Sequence, residues 1–363
     1  MKVLQILTEL GVGGAERVCL DLSKELLKAG YEVGVISLKS APTNKTIENA
    51  FKKLEIFPQY LGMDSLKNIF LLHTLRSMIQ DFHPDIVHSH LMHPNILSRI
   101  ACLGLHIPLI NTIHISERRK GQGLFFFLDR CTFPISSLCT CVSHASAQFH
   151  EKKLGLKQHV IEVVYNGVDI VPSLSRDEIV HFKKQWGVEE CTHIFGSIGR
   201  LADQKGYERL FPILHELSSQ IPSNEQYGVV LIGEGPNRIN LEKMAKNLPK
   251  NITFVMPGFY ENASSLISVF DVFIMPSYYE GYGLAFAEAM TLGVPCVVQN
   301  IDSLPELAQK YENSLLVDFD NITESVNTLL QALTYERCKP CIIQTKEQMG
   351  KEYMKIYSRF ISK

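Results

Sequence analysis

Short apolar runs alternate with longer amphipathic ones along almost the whole chain, and this feature limits the fold more than any other. Apolar runs with strand character fall at residues 3–7, 32–38, 85–88, 108–113, 138–142 and 160–164, with helical patterns at 15–29, 70–82 and 96–103 between them. The alternation then breaks over a charged, poorly patterned stretch at 177–190. It restarts with strand-like runs at 193–198, 227–232, 252–255, 271–275, 295–298 and 315–317. Parallel strands need long crossovers, and helices supply them while covering both sheet faces, so the pattern predicts an α/β protein with parallel sheets. At 363 residues the chain exceeds what a single core supports. Two sets separated by a linker at 166–190 therefore predict two Rossmann-like domains facing across a cleft. The first spans 1–170 and the second 171–344. A last helix at about 345–363 carries Met349, Tyr353, Ile356, Tyr357 and Phe360 near helical spacing, and is expected to pack back on the first domain.

Composition narrows the class. The chain is 45% hydrophobic and 20% charged, in the range of globular domains. Its net charge of -2 is divided between a mildly basic first half and an acidic second, which argues against a general nucleic-acid binder. Most of the nine cysteines sit inside apolar runs, as reduced core thiols do in a cytoplasmic protein. Cys338 and Cys341 form one C-x-x-C with no second pair and no neighbouring His, so zinc and redox chemistry are not expected there. The opening residues are interrupted too soon for a signal peptide and form a first strand. No apolar run reaches the length of a membrane span.

The candidate sites lie where strands end. The loop T-E-L-G-V-G-G-A-E at 8–16 is not a dinucleotide fingerprint, because Glu16 stands where the third glycine should be and the second strand ends without an acidic residue. Gly13 and Gly14 remain as positions where a ligand can approach the main chain, or as a tight turn with no ligand. His88, His90 and His93 could be drawn as a metal site, but no carboxylate or cysteine completes it, and no metal is expected. His114 follows the strand at 108–113, at the end where open α/β sheets place ligands; a hydrogen-bonded structural histidine is the alternative. The stretch 115–140 holds a basic cluster followed by aromatics at 117–128, suited either to a membrane surface or to a buried helix with a charged turn before it.

In the second set, Arg200 and Lys205 with Gly199 and Gly206 sit at a strand-to-helix junction, where a bidentate guanidinium and a point charge would hold a diphosphate. Gly233-Glu234-Gly235 repeats the pattern after the next strand. The stretch 271–290 reads as strand, glycine loop, helix, which aims N–H groups and a helix start at an anion. Glu280 and Glu288 invite a glycosidase reading. On one continuous helix they would stand about 12 Å apart, wider than the roughly 5–9.5 Å that hydrolases use, so separate roles on one ligand are expected. Asp318-Phe319-Asp320 runs into Asn321-Ile322-Thr323-Glu324 and reads as helix capping, not as a metal motif.

Taken in order, these pieces resemble the family 4 glycosyltransferases, retaining, metal-independent enzymes of the GT-B fold. The resemblance rests on G-G-A-E-R-V (13–18), P-D-I-V-H-S-H (84–90), T-I-H (112–114), N-G-V-D (166–169) and G-R-L with Q-K-G (199–206). It continues through G-E-G-P (233–236), P-G-F (257–259) and the E-x7-E from Glu280 to Glu288. It implies a first domain on the acceptor side and a second that binds a nucleotide-diphosphate sugar. Arg200 and Lys205 would hold the diphosphate, and Glu288 the ribose. Glu280 would contact the donor sugar, with N–H groups from Gly281, Tyr282, Gly283 and Leu284. Phe259 and Tyr260 would lie near the base, Gly13 and Gly14 would approach the diphosphate and sugar from the first domain, and His114 would touch the sugar's hydroxyls. The family's glycine pair before P-E is absent here, the chain reading N-I-D-S-L-P-E at 300–306, and N-G-x-L appears as N-S-L-L at 313–316.

The implied activity is transfer of a hexose or N-acetylhexosamine, from a UDP-sugar more often than a GDP-sugar, to a lipid-linked glycan or lipopolysaccharide-type acceptor. The co-substrate is the nucleotide sugar and no cofactor is expected. The enzyme would be cytoplasmic, touching the inner membrane surface. A nucleotide-sugar epimerase would need an acid/base pair that the sequence does not display. A non-catalytic sugar-nucleotide-binding partner of another transferase would not need Arg200, Lys205, Glu280 and Glu288 intact.

Overall fold

The computed structural model describes residues 1–63, 70–116, 118, 121–222 and 224–361. The chain divides into two compact units, Met1–Gly167 with Gln344–Lys363, and Val168–Ile343.

The first unit runs β1 (Lys2–Leu7), α1 (Gly14–Lys28), β2 (Glu32–Ser37), α2 (Thr46–Lys52), β3 (Gln59–Tyr60), α3 (Phe70–Phe82) and β4 (Ile86–His90). It continues through α4 (Met92–Cys102), β5 (Leu109–Ile113), α5 (Gly123–Thr132), β6 (Leu138–Cys141), α6 (His144–Leu154) and β7 (Glu162–Val163). Its seven strands are ordered β3-β2-β1-β4-β5-β6-β7, and every described pairing is parallel. β1, β4 and β5 are buried almost throughout, so they lack the alternation of a half-exposed strand, and the polar Gln5, His88, Ser89, His90, Asn111 and Thr112 are buried with their apolar neighbours. Leu4, Ile6, Ile36, Val87 and Leu109 of this sheet pack with Leu75 and Ile79 of α3.

The second unit begins with α7 (Arg176–Trp186), followed by β8 (His193–Ile198), α8 (Leu210–Gln220), β9 (Tyr227–Ile232), α9 (Arg238–Ala245) and β10 (Ile252–Gly258). Then come β11 (Val272–Met275), α10 (Leu284–Thr291), β12 (Cys296–Gln299), α11 (Leu304–Ala308), β13 (Ser314–Val317) and α12 (Ile322–Ala332). Its six parallel strands are ordered β10-β9-β8-β11-β12-β13. Phe195, Leu231, Ile274 and Val297 from four of its strands pack with Leu214, Leu217 and Val326 of α8 and α12. The last helix, α13 (Lys346–Ile361), belongs to the first unit, where it buries Met349, Tyr353, Ile356 and Tyr357 and packs on α1.

One expectation from sequence is corrected here. The charged stretch at 177–190 is not a linker: α7 occupies most of it, started by a capping box in which Ser175 and Glu178 each bond the other's backbone N–H, and ended by left-handed Gly187. Only Trp186 of this helix is buried, so its apolar face is too narrow to show as a period.

The strand orders fix where ligands can go. In each sheet the chain first winds one way and then the other, reversing between β1 and β4 and between β8 and β11. At such a reversal the loops leaving adjacent strands diverge to opposite faces and open a crevice at the carboxyl ends.

Candidate active site

In the second unit the reversal point is bordered by the loops after β8 and β11. The first was expected to be a direct strand-to-helix junction around Arg200 and Lys205. Instead it makes two single 3-10 turns, Asp203–Lys205 and Tyr207–Arg209, joined by left-handed Gly206 (φ 62°), before α8 starts. A side chain at Gly206 would place its Cβ 2.4 Å from the Pro276 carbonyl oxygen, so the glycine is what lets the two loops touch.

They are stitched together. Tyr278 N–H donates to the Gln204 carbonyl (2.8 Å), and Gln204 Nε2 donates to the Tyr279 carbonyl (3.0 Å). Arg209, buried, donates to the Pro276 carbonyl (2.9 Å) and to Asp320 (2.9 Å) and Asp318 (3.3 Å). The sequence did not single out Arg209. Only its place one turn beyond Gly206, facing the two aspartates of 318–320, could have pointed to it. Those aspartates are thus engaged by a cation, and Asn321 caps α12 by accepting from Glu324 N–H (3.2 Å).

The stitching brings Lys205 and Glu280 together. Lys205 Nζ lies 2.6 Å from Glu280 Oε1, with the side chains 17% and 7% exposed. Ser277 Oγ donates to the same oxygen (2.8 Å), and Glu280's own N–H donates to Asp302 Oδ2 (3.0 Å). Burial pulls the Lys205 ammonium pKa down, but the Glu280 carboxylate outweighs it with help from Tyr207, and the pKa ends above its ordinary value. Lys205 is therefore a fixed cation. Arg200 is exposed, and its guanidinium has no side-chain or carbonyl partner among the described residues, so its fork of donors faces outward.

Glu280 precedes α10, so the axial spacing of a continuous helix does not apply to it. Glu288 lies on α10 and is buried. Between them Gly281, Tyr282 and Gly283 are buried and Leu284 half-buried, with Gly283 left-handed (φ 87°) as the helix N-cap. Gly233 and Gly235 do other work: Cβ atoms there would lie 2.0 Å from the Gly199 oxygen and 2.2 Å from the Leu201 oxygen. They let the loop after β9 lie against the backbone that carries Arg200. Phe259 is exposed, whereas the Tyr260 hydroxyl accepts from Trp186 Nε1 (3.1 Å) and its ring packs on Phe182 and Trp186 of α7.

In the first unit Gly13 caps α1 in an extended conformation, and Gly14 is the helix's first residue. A Cβ on Gly13 would meet Glu16 Oε2 at 2.3 Å, so the Glu16 carboxylate lies over this helix start. The histidines join a buried polar chain. His88 bonds Tyr357 OH and Thr112 Oγ1 (2.6 Å each), and His90 bonds Gln5 Oε1 (3.0 Å) and His114 Nε2 (2.9 Å). Burial drives the pKa of His88 and of His114 from 6.5 to about 3 and that of His90 well below its ordinary value, so all three are neutral. His93 packs edge-on against Phe125. Among the described residues no three His, Cys, Asp or Glu side chains gather as a metal site, and all nine cysteines are free thiols.

Of the basic, aromatic stretch at 117–128, Glu117, Arg119 and Lys120 lie outside the described residues. α5 exposes Leu124 and Phe127 while the buried Arg99–Asp129 ion pair roots it to α4; Arg118 and Lys153 lie over the Phe149 ring.

Two family models match the chain: Glycosyltransferase Family 4 over residues 12–171 and Glycosyl transferases group 1 over residues 179–352. The chain belongs to the family 4 glycosyltransferases. It is a glycosyltransferase of GT-B architecture, with one seven-stranded and one six-stranded parallel sheet. It is 24% identical over 339 residues to the Escherichia coli UDP-Gal:alpha-D-GlcNAc-diphosphoundecaprenol alpha-1,3-galactosyltransferase, covering 88% of this chain and 84% of that one. It is 25% identical over 340 residues to the N-acetyl-alpha-D-glucosaminyl L-malate synthase of Bacillus anthracis, covering 90% and 86%. Among solved structures it is similar to Anabaena HepE in complex with UDP and glucose, with a TM-score of 0.77, 19% identity, and 99% and 95% of the two chains covered. In this glycosyltransferase Glu280, the first residue of the E-x7-E, pairs with Lys205 in the loop after β11, and Glu288, the second, is buried on α10.

Proposed function

We propose that this glycosyltransferase is a retaining, metal-independent enzyme that moves a hexose or N-acetylhexosamine from a UDP-sugar to a lipid-linked glycan or lipopolysaccharide-type acceptor. The observation that carries the reading is the Lys205–Glu280 pair beside the outward fork of Arg200. Departure of a nucleoside diphosphate leaves growing negative charge, which pre-positioned cations and N–H donors stabilise at little reorganisation cost. Arg200 grips the diphosphate as a fork and Lys205 exchanges Glu280 for a phosphate oxygen. Glu280 is thereby released to a hydroxyl of the transferred sugar, while Glu288 takes the ribose, and Phe259 and Tyr260 border the base. In the first unit, Gly13 and Gly14 approach the diphosphate and His114 a sugar hydroxyl.

UDP is favoured over GDP because the E. coli relative's name specifies UDP-Gal and HepE holds UDP; the same E. coli name specifies a diphosphoundecaprenol acceptor. No helix of the described residues is long and apolar enough to cross a membrane. Exposed Leu124 and Phe127 with Arg118 and Lys153 nearby suit peripheral contact with the cytoplasmic membrane face.

Calorimetric titration with UDP and with GDP tests the donor site. UDP is expected to bind at micromolar to low-millimolar levels, and Lys205→Ala to weaken it about tenfold or more. If neither nucleotide binds, the donor reading fails. UDP release from a panel of UDP-sugars should persist in excess chelator; activity lost on chelation and restored by manganese would overturn the metal-free part.

A further inference from the structure

His114 ends a hydrogen-bonded chain whose donors and acceptors admit one consistent arrangement. Gln5, buried on β1, points one end of its amide at the Cys19 carbonyl (3.4 Å) and Ser23 Oγ (2.6 Å). The Cys19 carbonyl can only accept, and Ser23 Oγ spends its proton on that same carbonyl (2.8 Å), so this end of the amide must be the NH2 group. Gln5 Oε1 is then the end that accepts from Cys19 Sγ (2.9 Å) and faces His90 Nε2 (3.0 Å). An amide oxygen donates nothing, so the proton of that bond belongs to His90 Nε2. Neutral His90 has no second proton, and its Nδ1 is an acceptor. The bond from His90 Nδ1 to His114 Nε2 (2.9 Å) therefore takes its proton from His114. His114 Nδ1 is left bare. That atom is buried and has no partner among the described residues, although it lies just past the carboxyl end of β5, the end at which open α/β sheets in general receive ligands.

We propose that Gln5 and His90 are positioning residues that hold His114 in the tautomer with an unprotonated Nδ1, so that this point of the first unit accepts a hydrogen bond from a ligand hydroxyl and rejects anionic oxygens. Only the identity of the hydroxyl's owner, the transferred sugar, rests on the proposed function. The arrangement explains why the chain reaches from α1 to β5. A lone histidine at this position could present either a donor or an acceptor, whereas one tied through His90 to Gln5 presents an acceptor alone. A phosphate or carboxylate oxygen set against that lone pair would find no proton between them.

Nitrogen-15 NMR of histidine-labelled full-length protein, with the His114 signals assigned by a His114→Gln variant, reads the tautomer directly and needs no substrate. A bare, pyridine-type Nδ1 and a protonated Nε2 are expected; a protonated Nδ1, or an even mixture, would overturn the proposal. Gln5→Met removes the acceptor behind His90 and is expected to let His114 populate both tautomers. It should lower kcat/KM for UDP release from a UDP-sugar about tenfold with the Kd for UDP unchanged. His90→Asp, which can only accept from His114 Nε2, is expected to keep Nδ1 bare. A Gln5→Met protein with an unchanged tautomer would remove Gln5 from the chain. Failure to release UDP from any UDP-sugar, with the tautomer as stated, counts against the proposed UDP-sugar donor alone. A reversed tautomer in an active enzyme counts against this proposal alone.

Discussion

At the scale of residues, the second unit's candidate site is built on a buried ion pair. Lys205 and Glu280 are both largely buried, so each is the other's main compensation for lost water. Glu280→Ala is expected to destabilise the second unit by about 3–5 kcal/mol, since it strands a buried ammonium. The double variant Lys205→Met/Glu280→Gln, which removes both charges, should regain most of that loss. The single tryptophan, Trp186, is buried in this unit, so denaturant unfolding followed by its fluorescence reports on the right half of the chain. If the double variant were as unstable as Glu280→Ala, packing and not charge would be what the pair supplies. The sequence marked both residues, because glycine loops after apolar strands are local signals. It did not show that they bond to each other, because that depends on Gly206 letting two loops 75 positions apart touch. Gln5 and Arg209 stayed invisible for the same reason: their partners lie far along the chain.

At the scale of elements, the strands were legible wherever both faces are buried. β8, β9 and α3 span the residues their apolar patterns indicate, while the amphipathic clue failed for α7, which buries one side chain. The carboxyl ends of β4 and β5 carry His88, His90 and His114, all held neutral by burial. The sign of the resulting pH dependence follows from linkage. Unfolded histidine takes up a proton near pH 6.5, and His88 and His114 in the fold do so only near pH 3. Between these values the unfolded chain binds more protons, so the first unit loses stability as pH falls through that window. Amide hydrogen exchange of β4 and β5, corrected for its intrinsic rate, should show protection declining from pH 6.5 downward; protection unchanged to pH 3 would contradict it. α5 makes a second case. Arg99 holds it through Asp129 and Thr132 while also bonding Asn111 and Ser136, all within the first unit. Asp129→Ala leaves that guanidinium buried without its counter-charge. It is expected to cost about 3–5 kcal/mol and to raise exchange in α5 more than in β1, whereas uniform exchange would mean α5 is held by its aromatics instead.

At the scale of the whole molecule, the chain returns to its first unit to finish it. Gly167, where the first unit gives way to the second, lies so close to α13 that a Cβ there would sit 2.5 Å from the Lys346 Cα, and its N–H donates to Met349 Sδ (3.2 Å). α13 then delivers Tyr353 and Tyr357 into the polar chain of β4 and β5, through Thr112 and His88. Apart from Gly13 and Gly14, every donor-site residue named for the nucleotide lies within Val168–Ile343. A chain ending at Ile343 should therefore lose its first unit selectively: four buried side chains are withdrawn, and His88 loses a bond it cannot replace without water. The second unit, with its own sheet, is expected to keep its Trp186 unfolding transition and to bind UDP within about threefold of the full chain, while transfer disappears. Loss of UDP binding together with α13 would mean that the donor site depends on the first unit's integrity, and would refute the assignment of most of the nucleotide's binding energy to the second unit.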